Sequence, residues 1–552
     1  MTILTLDRKE FERKVGKIDA KTEKLITDMG TPIEYINDNE VAVEVFPNRP
    51  DLLSLQNFAV AVNQFKGKKK ISKFKINSPE KDYEVIIDKS VKQVRPFTVC
   101  CIVKGLKFND EKIKEIIDLQ EKLHNSIGRK RKKLAIGIYP LEKISLPITY
   151  RAKDPTEIKF RPLEFPREIT GKQILSQHPT GREYGDLLKD AEVFPIFEDS
   201  NKNILSMPPI INSHETGRIT EKTKEIFIEC SGANLHYLKK ALAIIVATLS
   251  EMGGKIYAMN IKDKKDGDLK SPSMEPEKMP FRIENINKTL GIDFTEKQIK
   301  TNLAKMGIDL SHEKNQLVAE VPSYRTDIIH WIDLTEEVAI AHGYDNFEPI
   351  IPKISTIAEE DQDSKNKKLI NNILSGLGLL EVSSFHLTTK KNIKKTHFEF
   401  NEFIELEDSK TQRDVLRYDL FTNLMQIFSE NSDSAYPQKI YELGRTFKED
   451  KEGKTQTGVE EVEKLAIALV DESITFTEIK QILDYLFKML KVNYSLKEEE
   501  DHPAYITGRC GKIIVNNKEI GHIGEIAPRV LKNWKIKVPG VALEINTQFL
   551  LE

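Results

Sequence analysis

Apolar and polar positions alternate along this chain with two different periods, and each stretch predicts its own element. Arg8 to Lys17 has helical spacing, VAVEVF alternates with period two, and Leu53 to Phe65 returns to helical spacing after the turn-forming PNRPD. Pro47 and Pro50 fix φ on either side of Asn48 and Arg49, so PNRPD reads either as a rigid turn alone or as a turn in which Asp51 caps the next helix and holds Arg49. Further on, RPFTVCCIVKGLKF, ITYRA and EIFIECSG predict strands. KIKEIIDLQEKLHNSI predicts a helix with Ile113, Ile116, Ile117, Leu119 and Leu123 inward, and HYLKKALAIIVATLSEMGG predicts another. Residues 262 to 280 are charged, carry Pro and Gly and have almost no apolar content, which is linker composition. TEKQ at Thr295 to Gln298 has capping-box spacing before a helix with Ile299, Leu303 and Met306 inward and Gly307 at its end, and the strand LVAEV follows. The remainder alternates again, with strands expected in NEFIELEDS, KIYELGRTF, KLAIALV and GVALEIN, helices in VLRYDLFTNLMQIFSEN and FTEIKQILDYLFKMLKV, a surface loop in EDKEGKTQTGVEEVE, and a hairpin turn at Val515 to Lys518.

These patterns divide the chain into an N-terminal α/β module at 1–75, an α/β domain at 83–262, a compact module at 275–350 and an antiparallel sheet backed by helices at 364–552. The fold class is multidomain α+β. A length of 552 residues agrees, since one hydrophobic core does not grow that large. The net charge of −2, from 84 basic and 86 acidic residues, gives no argument for nucleic-acid binding from the whole-chain balance; such binding has to come from local patches. Arg129 to Lys133, RKRKK, is the densest one, and it reads either as a partner for a phosphate backbone or as a solvated loop. The longest apolar run, Ala241 to Leu249, falls far short of a membrane span, and MTILTLDRKEFERK has no signal-peptide core, which predicts a cytoplasmic protein without membrane contact. Cys100, Cys101, Cys230 and Cys510 have no zinc-site spacing and are expected to be reduced and interior.

The stretch Pro322 to Asn346 carries the most chemistry. Trp331, Leu334, Val338 and Ala341 mark one helix face, while Asp333, Glu336 and Glu337 are neighbours at i, i+3 and i+4, with Asp327 just upstream. Like charges at that spacing repel by a few tenths of a kcal/mol, on the order of 0.3 per pair. A hard cation with oxygen ligands, Mg²⁺ or Ca²⁺, offsets the repulsion; so does pairing with Arg325 together with the dipole at a helix N-terminus.

The motifs VEVFPNRPDLLS, LQEKLHNSIGRKRKKLAIGI, MPPIINSHETGRIT, VPSYRTDIIHWIDLTEEVAIAHGYDN, VLRYDLFTNLM, KIYELGRTF and IGHIGEIAPRVL lie in this order along the chain. In that order the chain resembles the β subunit of phenylalanyl-tRNA synthetase, of the archaeal and eukaryotic cytoplasmic type. The resemblance implies an α2β2 heterotetramer that binds ATP, phenylalanine and tRNA(Phe), with aminoacylation on the α subunit. It also implies an editing-like domain at 83–262, a winged-helix-like, B5-like magnesium-binding module at 275–350 with Asp327, Asp333, Glu336 and Glu337 as Mg²⁺ ligands, and a degenerate class II synthetase-like core at 364–552. A class II site needs an Arg-x-Glu and a Gly-x-Gly-x-x-Arg to hold phosphates. Phe281-Arg282-Ile283-Glu284 matches the first but lies outside the class II-like segment, and Gly376 to Glu381 ends in a carboxylate where the second needs its arginine.

Editing has a physical reason: a hydrophobic pocket for phenylalanine rejects an isostere that adds a hydroxyl only by about 10²-fold, so tyrosine needs a second, hydrolytic site. The matching motif implies Asn212, Ser213, His214, Glu215 and Thr216 for that pocket; the same residues also read as the closure of a polar turn. Tyr139-Pro140 stands where the family commonly has His-Asp, and Ser231-Gly232-Ala233-Asn234 where it commonly has Thr-Gly-Thr-Asp, so groups that position water are missing. The chain resembles no longer, bacterial-type subunit in its ends, and no anticodon reader is expected. Two other readings stay open: a freestanding aminoacyl-tRNA deacylase and an RNA-binding paralogue.

Overall fold

The computed structural model describes residues 2–549 except 315, 353, 356 and 408. The chain divides into two compact units, residues 1–351 and 352–552, each of mixed α+β structure with its own sheets. Among the described residues, no helix is long and apolar enough to cross a membrane.

In the first unit, strand Thr2–Asp7 runs into the helix Arg8–Val15, capped by Asp7, and pairs with Glu40–Val45, the strand expected from VAVEVF. The helix Leu55–Phe65 follows PNRPD, but its cap is Ser54, whose side chain accepts from Asn57 N, and not Asp51. Asp51 instead holds Arg49. The helix lies against Leu235–Glu251, where Ser54 Oγ and Thr248 Oγ are 3.0 Å apart, so the N-terminal module shares one apolar core with the α/β segment that follows it.

That segment is built on the largest sheet, eleven-stranded among the described residues. Two of its inner strands are covered on both faces: Phe97–Lys104 and Ile226–Gly232 are buried over nearly their whole length, which is why they read as continuous apolar runs rather than alternating ones. Leu134–Pro140 pairs with Ile226–Gly232 at one end of the strand order, and Ile204–Met207 with Ile211–Asn212 closes the other. Helix Asp110–Asn125 packs over Leu134–Pro140. Its Ile116, Leu119 and Leu123 are buried as expected; Ile117 is not, being 51% exposed, because it borders a cavity instead of the core.

The stretch 262–280 is not a bare linker. Leu269–Ser271 pairs with Lys255–Asp263, and Glu277–Phe281 pairs with Gln316–Val321, so backbone hydrogen bonds supply the order that its composition lacks. Thr295 and Gln298 form the expected capping box, and Gly307 follows the helix at φ +79°. Helix Trp331–His342 buries Leu334, Val338 and Ala341.

In the second unit Gln438–Glu449 and Val459–Val470 pair residue for residue along their full length, leaving only 450–458 of the expected surface loop. Helices Gln362–Gly376 and Phe476–Leu490 cover one face of a mostly antiparallel sheet, seven-stranded among the described residues, and Phe421–Glu430 with Pro528–Asn533 covers the other. Asn516 and Asn517, both at positive φ, make the expected hairpin turn. The strand expected in NEFIELEDS is reduced, among its described residues, to a single bridge between Glu405 and Val415; Asp408 lies outside them. All four cysteines are unpaired and buried.

Candidate functional site

The carboxylates of 327–337 separate into different tasks. Arg325, 1% exposed, grips Asp327 with two parallel hydrogen bonds, Nε to Oδ1 at 2.9 Å and Nη2 to Oδ2 at 2.7 Å, and Nη2 also lies 2.9 Å from Glu337 Oε2. Burial works against the Arg325 charge, and Glu337 and Asp327 outweigh it, so its pKa is raised well above the usual value. Burial likewise pushes Glu337 up against the pull of Arg325, whereas in Asp327 the guanidinium wins and the pKa falls. Asp333 accepts from Ile329 N at 2.8 Å and His330 N at 2.7 Å, fixing the helix start, and Glu336 is exposed.

Among the described residues, no group of three or more His, Cys, Asp or Glu side chains is placed to hold a metal ion. In this arrangement the four carboxylates expected to hold Mg²⁺ do not converge: the positive charge between Asp327 and Glu337 is supplied by Arg325. A dication there adds like charge to a buried guanidinium, and the residues as arranged do not fit it. Arg49 repeats the motif beside this cluster, bonding Asp51 from Nε at 3.0 Å and Nη2 at 2.9 Å, and Thr326 Oγ1 donates to Asn48 O at 3.3 Å.

The other expected group borders a cavity of about 430 Å³ between helix Asp110–Asn125, strand Leu134–Pro140 and the segment Ser206 to Asn212. Of the five residues expected there, Asn212 and His214 line it. Ser213 is buried in the turn, Glu215 is exposed and 3.6 Å from Arg161 Nη1, and Thr216 is buried outside the lining. The structure adds Ser206, Glu229, His124 and Arg131. Ser206 Oγ, His214 Nδ1, Glu229 Oε2 and Arg131 Nε are buried and have no hydrogen-bond partner. Four such atoms at one cavity mark a place prepared for a polar ligand, since buried polar groups left unpaired cost about 1–3 kcal/mol each.

Glu229 is the sharpest of these. It is a lone acid in a buried strand, 2% exposed, and burial pushes its carboxyl up to about 8 against the pull of Arg95. A carboxyl that is neutral at pH 7 keeps one acceptor and gains one donor. Oε1 accepts from Tyr139 Oη at 3.2 Å, which leaves Oε2 for the cavity. Tyr139 Oη also lies 3.4 Å from Asn212 Oδ1, so this phenol joins strands from the two ends of the strand order. Gly137, opposite Glu229 in the pairing, makes room for both: a Cβ there meets Tyr139 Oη at 2.1 Å and Glu229 Oε1 at 2.5 Å. The signal in the sequence was a charge inside the apolar run IFIECSG. The other departures serve structure: Ser231 accepts from Arg95, and Asn234 caps helix Leu235–Glu251.

His124 is neutral by construction. Ile136 N donates to its Nε2 at 2.9 Å, so its proton sits on Nδ1, facing Glu121 at 3.2 Å, and burial lowers its pKa. Just after it, Arg129, Lys130 and Arg131 all take positive φ, at 45°, 53° and 62°. Three non-glycine residues in the left-handed region cost about 1–2 kcal/mol each. The turn is held by Arg131, whose Nη1 donates to Ile210 O at 2.9 Å and Nη2 to Glu121 at 2.8 Å, with the guanidinium over Tyr184.

In the second unit, Glu381 accepts from Asn371 Nδ2 at 3.1 Å and is not a phosphate-facing cation; Arg282 immediately precedes helix Ile283–Leu290 in the first unit, with no side-chain hydrogen bond to that helix's start.

Comparison with known proteins fits this division. Residues 279–344 match the model of the tRNA synthetase B5 domain, and residues 348–547 match that of the phenylalanyl tRNA synthetase beta chain CLM domain. The class is thus that of a chain from an aminoacyl-tRNA synthetase. The phenylalanine–tRNA ligase beta subunit of Pyrococcus horikoshii is 39% identical over 501 residues, 90% of this chain and 89% of that one. The subunit of the same name from Archaeoglobus fulgidus is 32% identical over 551 residues, 99% of this chain and 98% of that one. A crystal structure of an N-terminal fragment of the Pyrococcus horikoshii phenylalanyl-tRNA synthetase beta subunit superposes with a TM-score of 0.58 at 33% identity, covering 62% of this chain and 99% of the fragment. The chain belongs to the family of phenylalanine–tRNA ligase β subunits.

Proposed function

We propose that this chain is the non-catalytic partner in a cytoplasmic α2β2 phenylalanine–tRNA ligase, and that the cavity of its first unit hydrolyses tyrosyl-tRNA(Phe). The ligase reaction, with its ATP, phenylalanine and accompanying Mg²⁺, belongs to the α subunit. In support, the class II-like unit has a carboxylate, Glu381, at the position that needs an arginine. The 275–350 segment is read as a winged-helix-like module held by Arg325 rather than by a metal.

The observation that carries the proofreading role is the set of unpartnered atoms, Ser206 Oγ, His214 Nδ1 and Glu229 Oε2, in a cavity of about 430 Å³. A volume in the range of about 300–1,000 Å³ suits a small organic group. The neutral Glu229 carboxyl donates to a phenol oxygen, and a site so built rejects a ring that lacks the hydroxyl, because its buried donor is then left unpaired. His214 holds the water that attacks the ester carbonyl; the ester C–O bond breaks, the ribose oxygen takes the proton and tyrosine leaves as the free acid. Deacylation of tyrosyl-tRNA(Phe) and phenylalanyl-tRNA(Phe) by the assembled α/β enzyme tests this. Release of tyrosine is expected to exceed release of phenylalanine and to fall at least tenfold in His214→Ala with aminoacylation retained. Tyrosine release no faster than in buffer rejects the reading.

A further inference from the structure

The left-handed turn at 128–133 has no part in the reading so far. It is a strained segment, and strain kept in a fold asks what it positions. Arg131 faces the cavity wall, where it is bound to Ile210 O, Pro209 O and Glu121. Its neighbours Arg129, Lys130 and Lys132 are exposed and have no ion pair or hydrogen bond from their side chains among the described residues. Arg218, also exposed and also without a partner, belongs to the cavity lining itself. Against these four cations the lining offers one exposed carboxylate without a partner, Glu164; Glu121 is engaged by Arg131 and His124. Lys133 is turned onto the Tyr237 ring, 4.5 Å from its centroid, and so is not free to join the cluster.

A solvated loop has no need of three consecutive left-handed residues or of an arginine bolted to two backbone carbonyls. Of these cations Arg131 and Arg218 line the cavity, and Arg129, Lys130 and Lys132 are carried exposed on the turn that Arg131 anchors to its wall. A ligand that uses both the turn and the cavity has a neutral, ring-sized end and an anionic chain behind it, with charges repeated at intervals that separate side chains can meet. A free phosphate satisfies the turn without reaching the cavity, and a duplex cannot bring an end group inside. Resting on the proofreading reading, we propose that the turn Gly128 to Lys133, together with Arg218, clamps the single-stranded 3′ end of an RNA through about three backbone phosphates while its terminal acyl group enters the cavity.

The test uses the assembled α/β enzyme with the triple variant Arg129→Ala, Lys130→Ala, Lys132→Ala, all surface positions, and a charge-keeping control, Arg129→Lys, Lys130→Arg, Lys132→Arg. For deacylation of tyrosyl-tRNA(Phe), the alanine variant is expected to raise KM about tenfold with kcat unchanged. It should also flatten the dependence of log(kcat/KM) on log[KCl] by about two, from roughly 0.7 per single-strand phosphate contact. The control should restore both, and aminoacylation should stay at the wild-type level. A second measurement does not depend on hydrolysis: tRNA(Phe) carrying a photoreactive nucleotide next to its 3′ end is crosslinked to the wild-type complex and the modified peptide is identified by mass spectrometry. Crosslinks in 128–133 support the clamp even if no tyrosine is released, in which case the proofreading reading alone falls. Crosslinks confined to other peptides, or KM and salt slope equal in the alanine variant and wild type, overturn the clamp.

Discussion

Glu229→Gln keeps the shape of a buried side chain and removes its proton chemistry, which makes it a direct test of the cavity. The Glu229 carboxyl moves from its usual 4.5 to about 8 in the fold, chiefly through burial. A carboxyl raised in this way costs nothing at low pH, where it is protonated folded and unfolded alike. Above about pH 4.5 only the unfolded chain sheds the proton, so stability falls as pH rises, and the loss levels off once the folded group ionises near pH 8. At about 1.4 kcal/mol per unit the penalty from this one group is about 1 kcal/mol at pH 5 and about 4 kcal/mol at pH 8, a change of about 3–4 kcal/mol. Glutamine does not titrate, and its carbonyl still accepts from Tyr139. The expected result is therefore a variant whose advantage over wild type grows by about that amount across the interval, several-hundred-fold in opening equilibrium. Hydrogen exchange of peptides covering Ile226–Gly232, corrected for intrinsic rates and read from pH 5 to pH 8, measures this locally without requiring the whole chain to unfold in one step. Parallel curves for the two proteins refute the buried, neutral Glu229. So does an advantage that shrinks as pH rises.

Arg325→Met is expected to destabilise the first unit by about 3–5 kcal/mol, because Asp327 and Glu337 are left buried without their cation; adding Glu337→Gln should return part of it, and thermal unfolding with limited proteolysis reads both. Gly137→Ala should cost about 1–3 kcal/mol by forcing Tyr139 and Glu229 apart, and tyrosyl-tRNA(Phe) deacylation by the complex should fall with it. Mg²⁺ titrated calorimetrically into the chain is expected to give no saturable binding at 327–337; a site that saturates and is lost in Glu336→Gln restores the four-carboxylate arrangement and requires Arg325 to give way.

The elements were legible where a local rule decided them. The Thr295–Gln298 capping box, the Asn516–Asn517 turn and the helix face of Leu334, Val338 and Ala341 depend on neighbours within a few residues, and all are present in the structure. What was not legible depended on distant partners. Nothing local in 262–280 announces that Glu277–Phe281 will find Gln316–Val321, and a charged, proline-bearing strand looks like a linker until its partner is known. For the carboxylates of 327–337 the spacing left two readings open, a cation or pairing with Arg325, and only the fold shows Arg325 between Asp327 and Glu337. In the cavity, the motif carrying Asn212 and His214 was visible, whereas Glu229, Ser206 and Arg131 come from three other segments, and their shared feature, a buried atom with no partner, has no expression in sequence.

Arg49-Pro50-Asp51 and Arg325-Thr326-Asp327 are the same device used twice: an arginine closed onto the aspartate two residues later. Each tripeptide neutralises itself with atoms it already carries. Two segments that lie far apart in the chain can therefore meet late in folding without either bringing an uncompensated charge into the interior. A join between modules made in this way is insensitive to the order in which they fold. It also tolerates change in the surrounding surface, as long as each arginine keeps its own aspartate.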